Sequence, residues 1–444
     1  MINRGRVPLG LAARYAGLYL VLVGYSLVYE RFYQYQLTPI VHDAFTVYDP
    51  ARAGTYLAIA FLTPLAILPI GTRLRAAGQF IVGALVVMLF IPIPIVFVPM
   101  TSVGEYWSIY WLLWAGYLVV CSLCSLNIDT GVTQLTEAAY KWLLIVVFAL
   151  VGIGLAYVLM TDRVQLVSLD AAHEAQKDIT VSGWQGYLIP SYACSLGGLL
   201  IAVAVAYRRY FLIVLAVAGF LICYVTILER TDAIMPFWIA FIYFSQKYLF
   251  RDSATRYLLC VMAPFLVLSG IAALVGASQS QSLFYDVFTL ADYRVYAIPA
   301  IGFNVYYNFF HFNPYTYWAH ITLVSQFAAD PYGQPLALVM EETYRMGNYN
   351  ACFLETDGIA AAGMAALPWV CAVFGVALVA LNSCARRLSL RILALVTAGS
   401  SIVLVDVGLG PGLLTNGIAL LGLMLLLAPR RPPWTEREER SPPV

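Results

Sequence analysis

Apolar residues fall along this chain in long runs, separated by short polar turns and by three wider polar stretches. A helix crosses the hydrocarbon core of a bilayer with about 20 apolar residues. The runs therefore predict spans at 9–29, 52–71, 77–98, 105–124, 142–161, 188–207, 211–229, 233–250, 257–276, 356–382, 388–407 and 412–428. The first is the least regular, because Arg14 lies inside it and must reach the interface along its own aliphatic stem. The expected fold is an all-α polytopic membrane protein of about twelve transmembrane helices. Spans 1 to 9 occupy 1–276, a large outward loop 277–355, spans 10 to 12 356–428, and a tail 429–444.

The placement of cations orients this series. Short loops on the cytoplasmic side of a membrane carry an excess of Lys and Arg. With Arg4 and Arg6 inside, the turns bearing Arg73/Arg75, Arg208/Arg209, Lys247/Arg251/Arg256 and Arg386/Arg387/Arg391 all fall inside, as does the tail PRRPPWTEREER. The polar stretches 30–51, 162–187 and 277–355 then face outward, together with the short link from Glu229 to Asp232. In a bacterium this orientation means an inner-membrane protein with its polar face in the periplasm. No cleavable signal pattern precedes the first span.

Composition agrees with lipid as the solvent. Hydrophobic residues make up 61% of the 444 and charged ones 11%, with a mean hydropathy of +0.80, whereas soluble domains carry about 25% charged residues. The formal net charge of +1 points to no nucleic acid or acidic partner. Of the eight cysteines, Cys121 and Cys124 form a CxxC inside the apolar run YLVVCSLCSL. Without a second pair nearby they read as small packing residues; no disulfide, metal or cofactor is expected.

The chemistry collects in the long outward loop. Unstructured connections beyond about 12–15 residues are uncommon and usually functional, and this one is rich in Phe, Tyr and Trp, from Phe284 to Trp318. We expect short helices lying on the membrane surface, their aromatics either anchoring the interface or lining a cleft where flat faces suit sugar rings. Tyr293, Arg294 and Tyr296 stand in YRVYAIPA, His311 in FFHFNP, His320 in YWAHIT, Glu341, Glu342 and Arg345 in MEETYR, and Asn348 and Asn350 in GNYNACF. Arginine is permanently charged and grips phosphate oxygens through a planar fork, and histidine titrates near neutrality. Together they suit a diphosphate leaving group and a hydroxyl nucleophile.

Each residue also has a purely structural reading. The histidines could serve as interfacial hydrogen-bonding groups, Glu341 or Glu342 could pair with Arg345 at helical spacing, and Arg230 could pair with Asp232. An arginine among apolar neighbours, as Arg294 is, needs a specific anionic partner. In the loop 162–187, Lys177 is a further cation, solvated or set against a lipid phosphate.

YRxxxIPA in an outward loop, a Glu-bearing helix after it, and NxNAxFLxxxGIxxAG on the approach to a span resemble the Wzy-type O-antigen (oligosaccharide repeat-unit) polymerases. Here these are Tyr293 to Ala300, Glu341/Glu342, and Asn348 through Gly363. Gly186-Tyr187-Leu188 is similar to the end of that family's earlier periplasmic loop. Arg230 in ERTDAIMPFW resembles the diphosphate-contacting arginine of the related O-antigen ligases. The resemblance covers mainly 180–365, and one departure is plain: the earlier loop of the family is often arginine-rich, whereas 170–187 holds none.

The resemblance implies a metal-independent, GT-C-like glycosyltransferase. It would move a growing glycan from undecaprenyl diphosphate onto the next undecaprenyl-diphosphate-linked repeat unit, with a chain-length regulator as a further partner. Arg230 and Arg294 would hold the diphosphate, Glu341, Glu342, His320 or His311 would take the acceptor proton, and Arg345 would orient the base or the second lipid. Tyr293, Tyr296, Asn348, Asn350 and Lys177 join as substrate-binding candidates. An O-antigen ligase shares topology and donor and differs in its acceptor, the lipid A core. A polyisoprenyl-phosphate-sugar transferase fits less well, because 30–51 has only the separated acids Glu30, Asp43 and Asp49. A transporter would place charges near midspan, where this sequence shows almost none.

Overall fold

The computed structural model describes residues 9–39, 47–129, 131–161, 183–275, 289–319, 321, 324–345, 351–429 and 434. Among these residues the chain is helical with no strand, apart from one isolated antiparallel bridge between Arg73 and Ser253. Nine helices among the described residues are long and apolar enough to cross a membrane: α1 (Gly10–Leu37), α2 (Pro50–Ile70), α3 (Ala77–Met100), α4 (Val103–Leu123), α5 (Glu137–Thr161), α6 (Gln185–Tyr207), α9 (Ala254–Ala273), α12 (Met364–Ala385) and α14 (Leu409–Leu427). Two apolar helices are shorter, α7 (Phe211–Ile227) and α13 (Leu390–Val403). A further helix, α8 (Arg230–Ser245), continues into a π-helical turn over Gln246–Phe250. Each of the twelve apolar runs is thus a helix, and the chain is an all-α multi-pass membrane protein.

α3 forms the axis. It is apolar on every face, which suits a helix surrounded by protein, and it is enclosed along its whole length. Small residues let its neighbours approach. The Gly78 N–H donates to Asn382 Oδ1 at 2.7 Å, and a Cβ at Gly78 would stand 2.6 Å from the Cys124 carbonyl oxygen. Close crossings of this kind let van der Waals packing hold helices together in lipid.

The basic turns gather at one end of the bundle. Leu74 N–H donates to the Asp252 carbonyl at 2.7 Å, and Arg386 pairs with Asp129 at 2.7 Å. Trp434 inserts between Tyr140 and Tyr207, donating from Nε1 to the Tyr207 hydroxyl at 2.9 Å while its carbonyl accepts from Ser389 N–H. The alternation of cations along the sequence is therefore an alternation in space.

The stretch expected to lie on the surface departs from that expectation. A nine-residue π-helical segment, Thr289–Ala297, leads directly into α10 (Ile298–Phe312). Ala300, Ile301, Phe303 and Val305 of α10 are fully buried. The helix is inserted between α1, α3 and α9. Tyr29 donates to the Tyr296 carbonyl at 2.7 Å, Tyr296 to the Val261 carbonyl at 3.0 Å, and Asn304 Nδ2 to the Val96 carbonyl at 3.1 Å. Its alternation of aromatic and small residues is solvated by other helices, so it needs no lipid-like hydropathy to be buried. At the non-basic end, α11 (Leu336–Tyr344) rests on the tip of α10 through a 2.8 Å bond from Tyr344 to Asn308.

Candidate functional site

The inserted helix places the loop candidates at two levels. Tyr293, Arg294 and Tyr296 lie on the π-helical segment at its start, inside the bundle. Such segments widen a helical turn and recur at functional sites. Tyr296 is buried and bonded to the backbone of α9, so it packs rather than faces open space. His311 lies exposed near the other end of the helix, its ring against those of Tyr307 and Phe312. His311 lies thirteen residues along α10 from its first residue, Ile298, roughly 20 Å of axial rise at 1.5 Å per residue, and Arg294 lies before that helix begins.

α11 shares the upper level. Glu342 accepts from Gln334 at 2.9 Å, and exposed Arg345 caps the helix with a φ of 57°, its N–H bonded to the Glu341 carbonyl. The structure therefore groups His311, Glu341, Glu342 and Arg345 and keeps them apart from Arg294. His320, Asn348, Asn350 and Lys177 lie outside the described residues.

Arg230 is the first residue of α8. Asp232, two residues on, is 3% exposed, and among the described residues its Oδ2 has no hydrogen-bond partner.

Arg294 is half-buried and forms no ion pair with any described carboxylate. It acts electrostatically on Asp406, an acid that the sequence reading absorbed into the span 388–407. Helix α13 stops at Val403, and Asp406 occupies the break before α14. Gly408 ends that break as the N-cap of α14, and Pro411 falls in the first turn of that helix, where its missing N–H costs no helical bond. Asp357 holds it in place: its Oδ2 accepts from Leu409 N–H at 2.7 Å and from the Thr356 hydroxyl at 3.1 Å. A Cβ at Gly408 would stand 2.7 Å from the Thr356 hydroxyl, so the two segments meet only because Gly408 has none.

The same π-helical segment before α12, Leu354–Ala360, carries Glu355. This side chain is 0% exposed; one carboxyl oxygen accepts from Cys352 N–H, and the other has no hydrogen-bond partner among the described residues. Burial raises its proton affinity well above the usual carboxylate range, and the neighbouring charge of Asp406 raises it further. Asp406 itself is pushed up to about 7, chiefly by burial; Arg294 works against this and Glu229 with it. Arg294, Asp406, Glu229 and Glu355 thus form one electrostatic group drawn from four separate elements.

Sequence reasoning singled out Arg294 and passed over Asp406 and Glu355. The available signal was a lone acid beside Gly and Pro in an otherwise apolar run, VDVGLGPG. An ionisable residue in such a run is a functional candidate by default.

Among the described residues no three His, Cys, Asp or Glu side chains are grouped to hold a metal ion, and all eight cysteines are free thiols. No protein-family model, curated protein or solved structure matches the chain.

Proposed function

We propose that this protein is a metal-independent, GT-C-like glycosyltransferase that polymerises lipid-linked oligosaccharide repeat units. It has twelve spans and sits in the bacterial inner membrane with its active face in the periplasm. It transfers a growing glycan from undecaprenyl diphosphate onto a hydroxyl of the next undecaprenyl-diphosphate-linked unit. The observation that carries this reading is Arg294: a permanent cation inside an apolar bundle, without an ion pair among the described residues and partly open to a ligand. A diphosphate supplies the missing anion, and the fork of the guanidinium spans two of its oxygens.

Arg230 lies on the helix that begins beside Glu229 and joins Arg294 in holding the donor, where both stabilise negative charge as the sugar departs. The upper level, with His311, Glu341, Glu342 and Arg345 among aromatic residues, has the chemistry of a glycan-binding rim. The resemblance in Tyr293 to Ala300 and Asn348 through Gly363 supports a polymerase over other users of such lipids.

Deletion of the gene in its native host tests this directly. We expect surface glycan truncated to at most one repeat unit, with long chains restored by the wild-type gene. Arg294→Ala should leave protein level unchanged and lower polymer output roughly 10²- to 10³-fold, the usual loss when one charge-stabilising donor is removed. Loss of all capping would instead identify a ligase, and an unchanged glycan would refute both.

A further inference from the structure

The end of the bundle that gathers the basic turns also carries a small cavity. We propose that this cavity binds the phosphate of an anionic phospholipid from the adjoining leaflet. The site is separate from the reaction proposed above and stands whether or not that reading holds. It opens where α12 and α14 both end, beside the connection from α4 to α5. Its lining combines Arg386 and Arg387 with Leu388, Leu425 and Leu426. The centre of a water molecule can range over about 20 Å³ of it, space on the scale of one phosphate group rather than of a sugar.

Bonds around the cavity fix its walls. The Asn382 amide donates to the Leu126 carbonyl at 2.9 Å, and Ile128 N–H donates to the Ser383 hydroxyl at 2.8 Å. Leu135 N–H, next to the lining residue Gln134, donates to the Leu427 carbonyl at 3.2 Å. The connection is thereby tied to both helix ends, before and after Asp129.

The carbonyls at these helix ends do not call for the arginines. A helix C-terminus draws cations because its last carbonyls lack partners. Here Leu388 N–H donates to the Ala385 carbonyl, Ala428 N–H to that of Leu425, and Leu135 N–H to that of Leu427. Arg386 does hold Asp129 at 2.7 Å, and the same carboxylate accepts from Gly131 N–H at 3.2 Å. The lining nevertheless has two guanidinium groups against one carboxylate, a net charge of +1. A guanidinium carries five N–H donors, so the bond to Asp129 leaves Arg386 with more to give.

A lipid phosphate accounts for the apolar part of the lining, which a free phosphate ion does not. Arg386 and Arg387 directly follow the last residue of α12, the level at which headgroups stand beside a spanning helix. There a planar fork grips phosphate oxygens, and the three leucines offer apolar surface to the glycerol and the upper acyl carbons. Basic pockets between the ends of spanning helices hold anionic headgroups in this way.

Cys384 lines the same cavity and is the one cysteine of the eight that is not fully buried, so its thiol reports occupancy. The experiment places the full chain in nanodiscs, whose two faces both meet an uncharged maleimide, and identifies labelled residues by mass spectrometry. Adding phosphatidylglycerol to phosphatidylcholine nanodiscs should slow the labelling of Cys384 several-fold, and inorganic phosphate should not. Arg387→Gln should weaken the lipid effect about fivefold, the worth of one cation at an anionic membrane surface. Leu388→Glu keeps both arginines, adds a second carboxylate to the lining, and should abolish the protection. Arg209→Cys, exposed at the same end and outside the cavity, should label at one rate in both lipids. Equal slowing at Arg209→Cys would show surface charge in place of a site and overturn the proposal. Labelling of Cys384 that ignores phosphatidylglycerol, or protection that survives both substitutions, would overturn it as well. Protection by inorganic phosphate alone would make the ligand a free ion and refute the lipid.

Discussion

At the residue scale, Arg294 and Asp406 are opposite charges that do not satisfy each other. The guanidinium lowers the proton affinity of Asp406, yet burial dominates and holds it near 7. This has a consequence for stability. The unfolded carboxyl loses its proton near 3.8, while the folded one keeps it until about 7. Between those values the folded state binds more protons, so stability falls as pH rises through the window. Burial raises Glu355 in the same direction. We expect melting temperature in detergent to decline from pH 5 to pH 8, with a shallower decline in Asp406→Asn. A profile that rises with pH would show that the buried carboxyls do not control it.

At the element scale, the helices were legible in the sequence wherever lipid is the solvent. Each of the twelve apolar runs contains a helix, and among the described residues nine of these are long and apolar enough to cross a membrane, which takes about 20 apolar residues. The inserted helix was not legible as a buried element. Residues 289–312 include Asp292, Arg294, Asn304, Asn308 and His311, too polar for a span by composition. The middle of this stretch, from Tyr296 to Tyr306, is buried because Tyr29, Tyr296 and Asn304 donate to backbone carbonyls of neighbouring segments, a match that no single segment displays. The site divided along the same line. Arg294 stood out as a cation among apolar neighbours, whereas Asp406 was concealed by an apolar run whose helix stops at Val403. Helix crossings were equally hidden: a Cβ at Gly399 of α13 would stand 2.3 Å from the Cys194 carbonyl oxygen on α6, where only backbone can yield. Since α13 leads into the Asp406 turn, Gly399→Val should force the two helices apart. The expected outcome is misfolding or a loss of at least 1–3 kcal/mol, the usual cost of overpacking, measured by thermal unfolding and protein yield. A variant as stable as wild type would mean that the crossing is loose.

At the scale of the whole molecule, the proposed reaction demands an orientation. Lipid-linked repeat units polymerised in the periplasm must meet the end of the bundle that carries α11 and the tip of α10. The basic turns must then lie in the cytoplasm, as the excess of Lys and Arg at that end requires. The two ends offer well-placed reporters. Phe327 is 86% exposed beyond α10, and Arg209 is exposed in the turn between α6 and α7. Seven of the eight native cysteines are buried, and the eighth, Cys384, is half-buried among basic-end residues. A membrane-impermeant maleimide applied to cells with a permeabilised outer membrane should therefore label Phe327→Cys at once. Arg209→Cys, with Cys384 as its internal reference, should label only after the inner membrane is opened. The reverse pattern would place Arg294 and Asp406 nearer the cytoplasmic leaflet, away from the periplasmic acceptor, and the polymerase reading would fail on geometry alone.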